Sequence, residues 1–279
     1  MVLASLPYRG TFGEARPRSL SGLPLPPAAM PSHHGTRPLK AWRYVGVYGP
    51  ELMLCLAQVR IGRGRQSFWA VWDRQQRSLY ERTRIGSGGV RLWPGGASLF
   101  ERSVRLDLEL EETAGVESVC PCGEGYAWTR KQGGIMARGS LVVAGASRRI
   151  EARAIIDDTA AYYPRLTHWR WCAGVGRSGD GRGLAWNLVE GVNDPAAGSE
   201  RTVWVDGQPR EVPPCSFSPD LDRVDDLHFA AEAGLERRQN LVLVRSDYRQ
   251  PFGTFSGALP GGVTLEEGFG VMEDHEAWW

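Results

Sequence analysis

The chain lacks most features that would assign it a partner at a glance. Lys and Arg number 33 against 32 Asp and Glu, a net charge of +1, so no global field recruits nucleic acid or an anionic membrane. No uninterrupted apolar run approaches the ~20 residues that span a bilayer, so no transmembrane segment is expected. Residues 1–10 hold no basic segment followed by an apolar one, so no signal peptide is expected either. The five cysteines form no disulfide framework, which points to a reducing, cytoplasmic setting. No GxSxG elbow, P-loop or HExxH occurs. Gly174-Val175-Gly176-Arg177-Ser178-Gly179 fits a dinucleotide fingerprint, but a further turn and a strand follow where a helix is needed, so no cofactor is expected. Cys120-Pro121-Cys122 has a single spacer and no second pair, and His33 and His34 are adjacent in a loop, so no metal is expected. Helix signals are sparse, residues 230–238 being the best short candidate.

What the chain has is tryptophan, glycine and a repeat. Eleven Trp side chains, each able to bury about 150–250 Å², suit barrel interiors or an apolar cavity, and 35 Gly with 18 Pro supply many turns. Trp42-Arg43-Tyr44-Val45-Gly46 returns as Trp169-Arg170-Trp171-Cys172-Ala173. Val71-Trp72 returns as Val203-Trp204, Leu106 and Leu108 as Leu227 and Phe229, and Lys131-Gln132 as Arg249-Gln250, all in the same order. Four collinear pairs argue for one domain copied in tandem. Such a duplication creates an interface, where ligand sites gather.

Period-2 patterning dominates from Trp42 onward. Residues 104–111 alternate strictly, a strand with one wet face, whereas residues 52–59 are apolar on both faces and should be covered on both sides. The expected fold class is therefore all-β: a tandem pair of lipocalin-like antiparallel β-barrels, internally duplicated. Residues 1–40, rich in Pro and Gly, read as an extended N-terminal arm, residues 41–152 as the first barrel and residues 153–279 as the second.

The densest polar and aromatic stretch runs from Asp157 to Asp194. Leu184, Trp186, Leu188, Glu190 and Val192 share one strand face, so Glu190 interrupts an apolar row. Inside a barrel its carboxyl needs a cationic partner or stays protonated, and a protonated acid in an apolar cavity suits acid catalysis on an alkene or ether. Arg245, on a face with Leu241 and Leu243, is the candidate partner; an inert buried ion pair is the competing explanation. Glu273 is a second candidate acid, and His168 and His275 are candidate proton partners, against the alternative of solvated surface groups. Trp171, Trp186, Asn187 and Asn193 complete the candidate ligand set. The repeated Trp-Arg pairs read first as barrel packing. The terminal Trp278-Trp279 should dock against something apolar.

Several segments also carry a family resemblance. Ser67-Phe68-Trp69-Ala70-Val71-Trp72-Asp73, Tyr126-Ala127-Trp128-Thr129-Arg130-Lys131-Gln132 and Trp186-Asn187-Leu188-Val189-Glu190-Gly191 are similar to the uncharacterised family catalogued as domain of unknown function 2804, as are 42–50, 199–207, 246–255 and 270–275. The resemblance runs from about residue 5 to the end and implies no reaction. Glu276 stands where that family usually reads Asp. More remotely, tandem lipocalin-like barrels resemble the group of carotenoid hydratases, tocopherol cyclases and fungal Diels–Alder cyclases, which implies a large apolar ligand near the domain junction. Two function classes follow. One is an enzyme that hydrates, cyclises or isomerises a lipid-like or isoprenoid molecule, and the other is a carrier for the same kind of ligand. A scaffold with filled barrels is expected instead if no cavity of roughly 300 Å³ exists.

Overall fold

The computed structural model describes residues 5–86, 88–241 and 244–279. Its strands are β1 (Tyr8–Thr11), β2 (His33–His34), β3 (Arg37–Pro38), β4 (Lys40–Tyr48), β5 (Leu52–Ile61), β6 (Gly64–Asp73), β7 (Ser78–Ile85), β8 (Val90–Trp93), β9 (Gly96–Phe100), β10 (Val104–Leu110), β11 (Val116–Cys122), β12 (Gly125–Val143) and β13 (Ala146–Ala161). They continue as β14 (Leu166–Arg177), β15 (Gly183–Glu190), β16 (Thr202–Val205), β17 (Gln208–Glu211), β18 (Arg223–Val224), β19 (Leu227–Leu241), β20 (Val244–Leu259) and β21 (Val263–Trp278). Two large antiparallel sheets result, a tandem lipocalin-like pair. The first runs β7-β6-β5-β4-β13-β12-β10-β9-β8, and the second runs β17-β16-β15-β14-β21-β20-β19-β18. Among the described residues no helix is long and apolar enough to cross a membrane.

The two orders superpose strand for strand: β4 with β14, β5 with β15, β6 with β16, β13 with β21, β12 with β20 and β10 with β19. The four repeated sequence pairs fall on β4 and β14, β6 and β16, β10 and β19, and β12 and β20. The repeat is therefore one topology written twice. The first sheet adds β11 beside β12, and β1 pairs with β11. The arm of residues 1–40 thus contributes an edge strand, with Leu20, Leu25 and Leu39 buried. Residue 153, where the second repeat was expected to open, lies inside β13, whose partners β12 and β4 both belong to the first sheet.

Each sheet buries both faces in its central strands, while β10 keeps one face in solvent. One face of the first holds Val45, Leu54, Leu56, Val71, Leu106 and Ile156, and one face of the second holds Leu184, Trp186, Leu188, Phe255 and Met272. The opposite faces pack against each other: Tyr44, Cys55, Ala57 and Trp72 meet Trp169, Trp171, Val189, Trp204 and Val271. This explains why residues 52–59 are apolar on both sides. Gly133 lets the sheets close up, because a Cβ there would stand 2.3 Å from the Trp204 ring. Glu232 ties them at one end, accepting Trp72 Nε1 at 2.9 Å and Arg74 Nε at 2.7 Å.

Residues 230–238, the helix candidate, lie in β19 and pair with β20 on almost every residue. Gly234 in the middle of the segment weakens a helix, and the long partner strand offers a full ladder instead. Leu243, which was read on one face with Arg245, lies outside the described residues.

Candidate functional site

The site is built where the equivalent strands β4 and β14 meet. Trp42 and Trp169, matched positions of the repeat, face each other with centroids 6.1 Å apart and planes within 7°. Each indole N–H points at a carboxyl on the next strand. Trp42 Nε1 donates to Asp157 Oδ2 on β13 at 3.1 Å, and Trp169 Nε1 donates to Glu273 Oε1 on β21 at 2.8 Å. One strand further, the halves diverge: the register sets Arg249, the repeat partner of Lys131, opposite Asp274, so that Gln250 reaches Glu273. Lys131 on β12 sets its ammonium 2.5 Å from Asp157 Oδ1, whereas Gln250 on β20 donates its amide N–H to Glu273 Oε2 at 2.9 Å. A cation answers one carboxyl and a neutral amide the other.

That difference sorts the charges. Burial pushes the Glu273 carboxyl up to about 7, and the donors Trp169, Tyr248 and Gln250 only partly oppose it. Burial pulls Lys131 down, but Asp157 and Glu200 outweigh it, so its pKa is raised and the ammonium persists. Glu200, 3.2 Å from Lys131, is raised by burial against the pull of that ammonium. Asn193 Nδ2 donates to Tyr163 Oη at 2.7 Å and to Glu200 Oε2 at 3.0 Å. Its Oδ1 is buried without a partner, and the Tyr248 hydroxyl faces Glu273.

These groups surround a cavity of about 100 Å³ between the sheets, with Trp42, Tyr44, Trp169, Trp171 and Trp279 as its aromatic wall. A second cavity of about 90 Å³ adjoins it and shares Val59, Phe68, Tyr248, His275 and Trp279. Neither reaches roughly 300 Å³, so by volume alone these junction cavities favour the filled scaffold over a site for a large apolar ligand. A wider groove of about 820 Å³ opens on the first sheet, lined by Arg84, Arg91, Arg105, Glu101 and Asp107. Its Glu101 is already paired with Arg82 and Arg84, so the groove presents a satisfied, wet surface.

The structure brings Glu273, His275, Trp171 and Asn193 together on the cavity wall. His275 Nε2 lies 2.8 Å from Ser246 Oγ, and burial lowers its pKa to about 3, so the ring is neutral at physiological pH. Asn187 stands one layer behind, accepting Trp171 Nε1 at 2.8 Å. His168 is outside the cavity, exposed and 2.6 Å from Asp274 Oδ1. Trp186 packs edge-on to Phe255 inside the second sheet. Glu190 pairs with Arg170 at 3.4 Å, not with Arg245, which is exposed opposite Trp278.

For Trp186 and Glu190 the cause lies in β15. Along β15 the even residues Leu184, Trp186 and Leu188 face the interior of their own sheet, while the odd residues Ala185, Asn187 and Val189 face the junction. Both rows are apolar enough to read as core, and the odd one faces the cavity through Asn187 and Val189. Sequence reasoning missed Trp42, Lys131, Asp157, Tyr163, Glu200 and Tyr248. The signal available for Trp42 was its place in the repeat opposite Trp169.

Residues 93–279 match the family described as Domain of unknown function (DUF2804). The chain belongs to that family. No curated protein matches it. Among solved structures it is similar to a Nitrosomonas europaea protein provisionally designated AttH, with a TM-score of 0.48 and 13% identity over 91% of this chain and 98% of that one. It is also similar to kievitone hydratase from Nectria haematococca, with a TM-score of 0.47 and 12% identity over 84% of this chain and 88% of that one. For CghA the TM-score is 0.38, with 10% identity over 97% of each chain. At such identities no residue of these proteins transfers to this DUF2804 member.

Proposed function

We propose that the protein binds a small, mostly apolar molecule between its two sheets and that Glu273 donates a proton to it in a hydration, cyclisation or isomerisation. One observation carries this reading: a carboxyl on an aromatic cavity wall whose pKa burial raises to about 7, while its counterpart Asp157 is held by Lys131. An acid with a pKa near the working pH combines a protonated population with a strong driving force for transfer. The surrounding indole faces favour positive charge developing on the substrate. A carrier or a filled scaffold needs no such acid, and burying it costs stability. His275, held neutral by a pKa that burial lowers to about 3, serves as a hydrogen-bond partner and neither donates nor readily accepts a proton. The cavity holds about one six-membered ring without rearrangement, so a long isoprenoid chain requires the shared wall of Phe68, Tyr248 and Trp279 to move.

The test is native mass spectrometry of the protein purified from its own host, beside Glu273→Gln. The wild type should retain an apolar ligand, as substrate or as its hydrated or isomeric product. Glu273→Gln should retain the substrate alone. Absence of any ligand from the wild type refutes the binding, and product on the variant refutes the role of Glu273.

A further inference from the structure

The register of β4, β5 and β6 gathers a second polar cluster on the face turned away from the junction. Gln58 lies opposite Arg43 on β4 and Ser67 on β6, and Arg60 lies opposite Ala41 and Arg65. Directly paired residues and alternate residues share one face of a sheet. Arg43, Gln58, Arg60, Arg65 and Ser67 therefore stand together, while Trp42 and Val59 carry their side chains to the junction cavity. One step further along the cluster's face come Val45, Leu56 and Trp69, buried in the core of the first sheet. The cluster is thus the rim of that core. A groove of about 450 Å³ opens over it, with Leu92 of β8 also on its wall. This volume falls within the roughly 300–1,000 Å³ of ligand pockets.

The charges of this groove do not cancel. Arg43 is matched, for Nη1 donates to both oxygens of Asp158 at 2.8 Å and Nη2 pairs with Glu112, but its Nε is buried without a partner. Arg60 and Arg65 are exposed and face each other across the β5–β6 pair. The arginines on the next strand, Arg82 and Arg84, are both claimed by Glu101, and among the described residues no acid pairs with Arg60 or Arg65. Like charges directly opposite on paired strands cost stability. A local conflict of this kind is what binding sites carry. Two other grooves of similar or larger size differ, since one holds Glu101 and Asp107 and the other Asp206. No Asp or Glu lines this one. Ser67, 3% exposed, adds a hydroxyl to its wall.

We infer that this rim is an anion site that binds a small molecule through a phosphate monoester, with Arg60 and Arg65 as the two guanidinium donors and Arg43 and the Ser67 hydroxyl behind them. A phosphate monoester carries close to two negative charges and three acceptor oxygens at neutral pH. Two uncompensated cations match that dianion, whereas a monocarboxylate leaves one of them unmatched. Guanidinium forks also suit phosphate oxygens in pairs. The site lies on the opposite face of β4, β5 and β6 from the junction cavity, so it stands or falls apart from the reaction proposed there.

The test titrates the full-length protein with methyl phosphate, dimethyl phosphate or acetate at fixed ionic strength and about pH 7, where the monoester is mostly a dianion. Nuclear magnetic resonance follows the backbone amide signals of residues 58–67. Methyl phosphate should move these signals and bind at least about tenfold more tightly than either monoanion. Arg60→Gln and Arg65→Gln should each weaken its binding about tenfold, the loss of one charge-assisted contact. Arg63→Gln removes the same charge from the turn between β5 and β6, outside the groove, and should leave binding unchanged. Absence of any shift with methyl phosphate, or unchanged binding in Arg60→Gln and Arg65→Gln, overturns the site. Equal binding of dimethyl phosphate or acetate overturns the monoester as its ligand. A loss in Arg63→Gln as large as in the other two shows attraction by diffuse charge and overturns the site as well.

Discussion

Replacing Glu273 by Gln should change how stability depends on pH, and both sign and size follow from the site. The folded protein raises this carboxyl from 4.5 to about 7, so folding favours its protonated form. Its contribution is therefore complete below pH 4.5 and is lost as pH rises through 7. At about 1.4 kcal/mol for each pH unit, a rise of about 2.5 corresponds to about 3 kcal/mol. Gln keeps the shape and does not titrate. The stability of the wild type relative to Glu273→Gln should thus fall by about 3 kcal/mol between pH 4.5 and 7.5. His275 acts in the opposite sense. Its pKa is lowered from 6.5 to about 3, so its contribution is present above 6.5 and lost as pH falls. Between pH 4.5 and 6.5 the two slopes oppose each other in the wild type, while the variant shows the His275 slope alone. Urea denaturation at constant ionic strength across pH 4.5–7.5 measures both. A wild-type-minus-variant difference that does not change with pH refutes the raised carboxyl and the acid role built on it.

Two further outcomes probe the junction. Lys131→Met should cost about 3–5 kcal/mol in thermal or chemical denaturation, since it leaves Asp157 and Glu200 buried without their cation; a loss under about 1 kcal/mol shows that the triad is not stabilised as described. Gly133→Ala should cost about 1–3 kcal/mol, because the added methyl meets the Trp204 ring at 2.3 Å. A neutral result there means that the sheets are less tightly apposed.

The duplication was legible in the sequence because the matched residues, Trp42 and Trp169 or Val71 and Val203, fill equivalent strands of two sheets with one order. The all-β class was legible from periodicity. The site was only half legible. Glu273 and His275 emerged because titratable groups beside a terminal aromatic pair are visible locally. Glu190 and Trp186 were preferred because a carboxyl in an apolar row is a local signal too, but local alternation does not say which face of β15 meets a second sheet. Lys131 and Asp157 are adjacent only through the register of β12 on β13, and Glu200 reaches them from the second half of the chain. No pattern along the chain encodes that meeting. The helix expected at 230–238 failed for a related reason: an ambiguous Ala-rich segment took the conformation that its partner strand could pair.

The geometry also gives a reason for placing the proposed acid in the second copy. Both copies place an indole N–H on a carboxyl in the same relative position, Trp42 on Asp157 and Trp169 on Glu273. Two unmatched buried carboxylates so close would repel each other and cost several kcal/mol. A cation at both positions would hold both ionised and leave no proton to give, while neutral neighbours at both would leave the junction short of any compensated charge. Lys131 on one side and Gln250 on the other sets a cation against one carboxyl and leaves the other to burial, which raises it to about 7. The difference between the two halves lies on β12 and β20, one strand away from the carboxyls themselves.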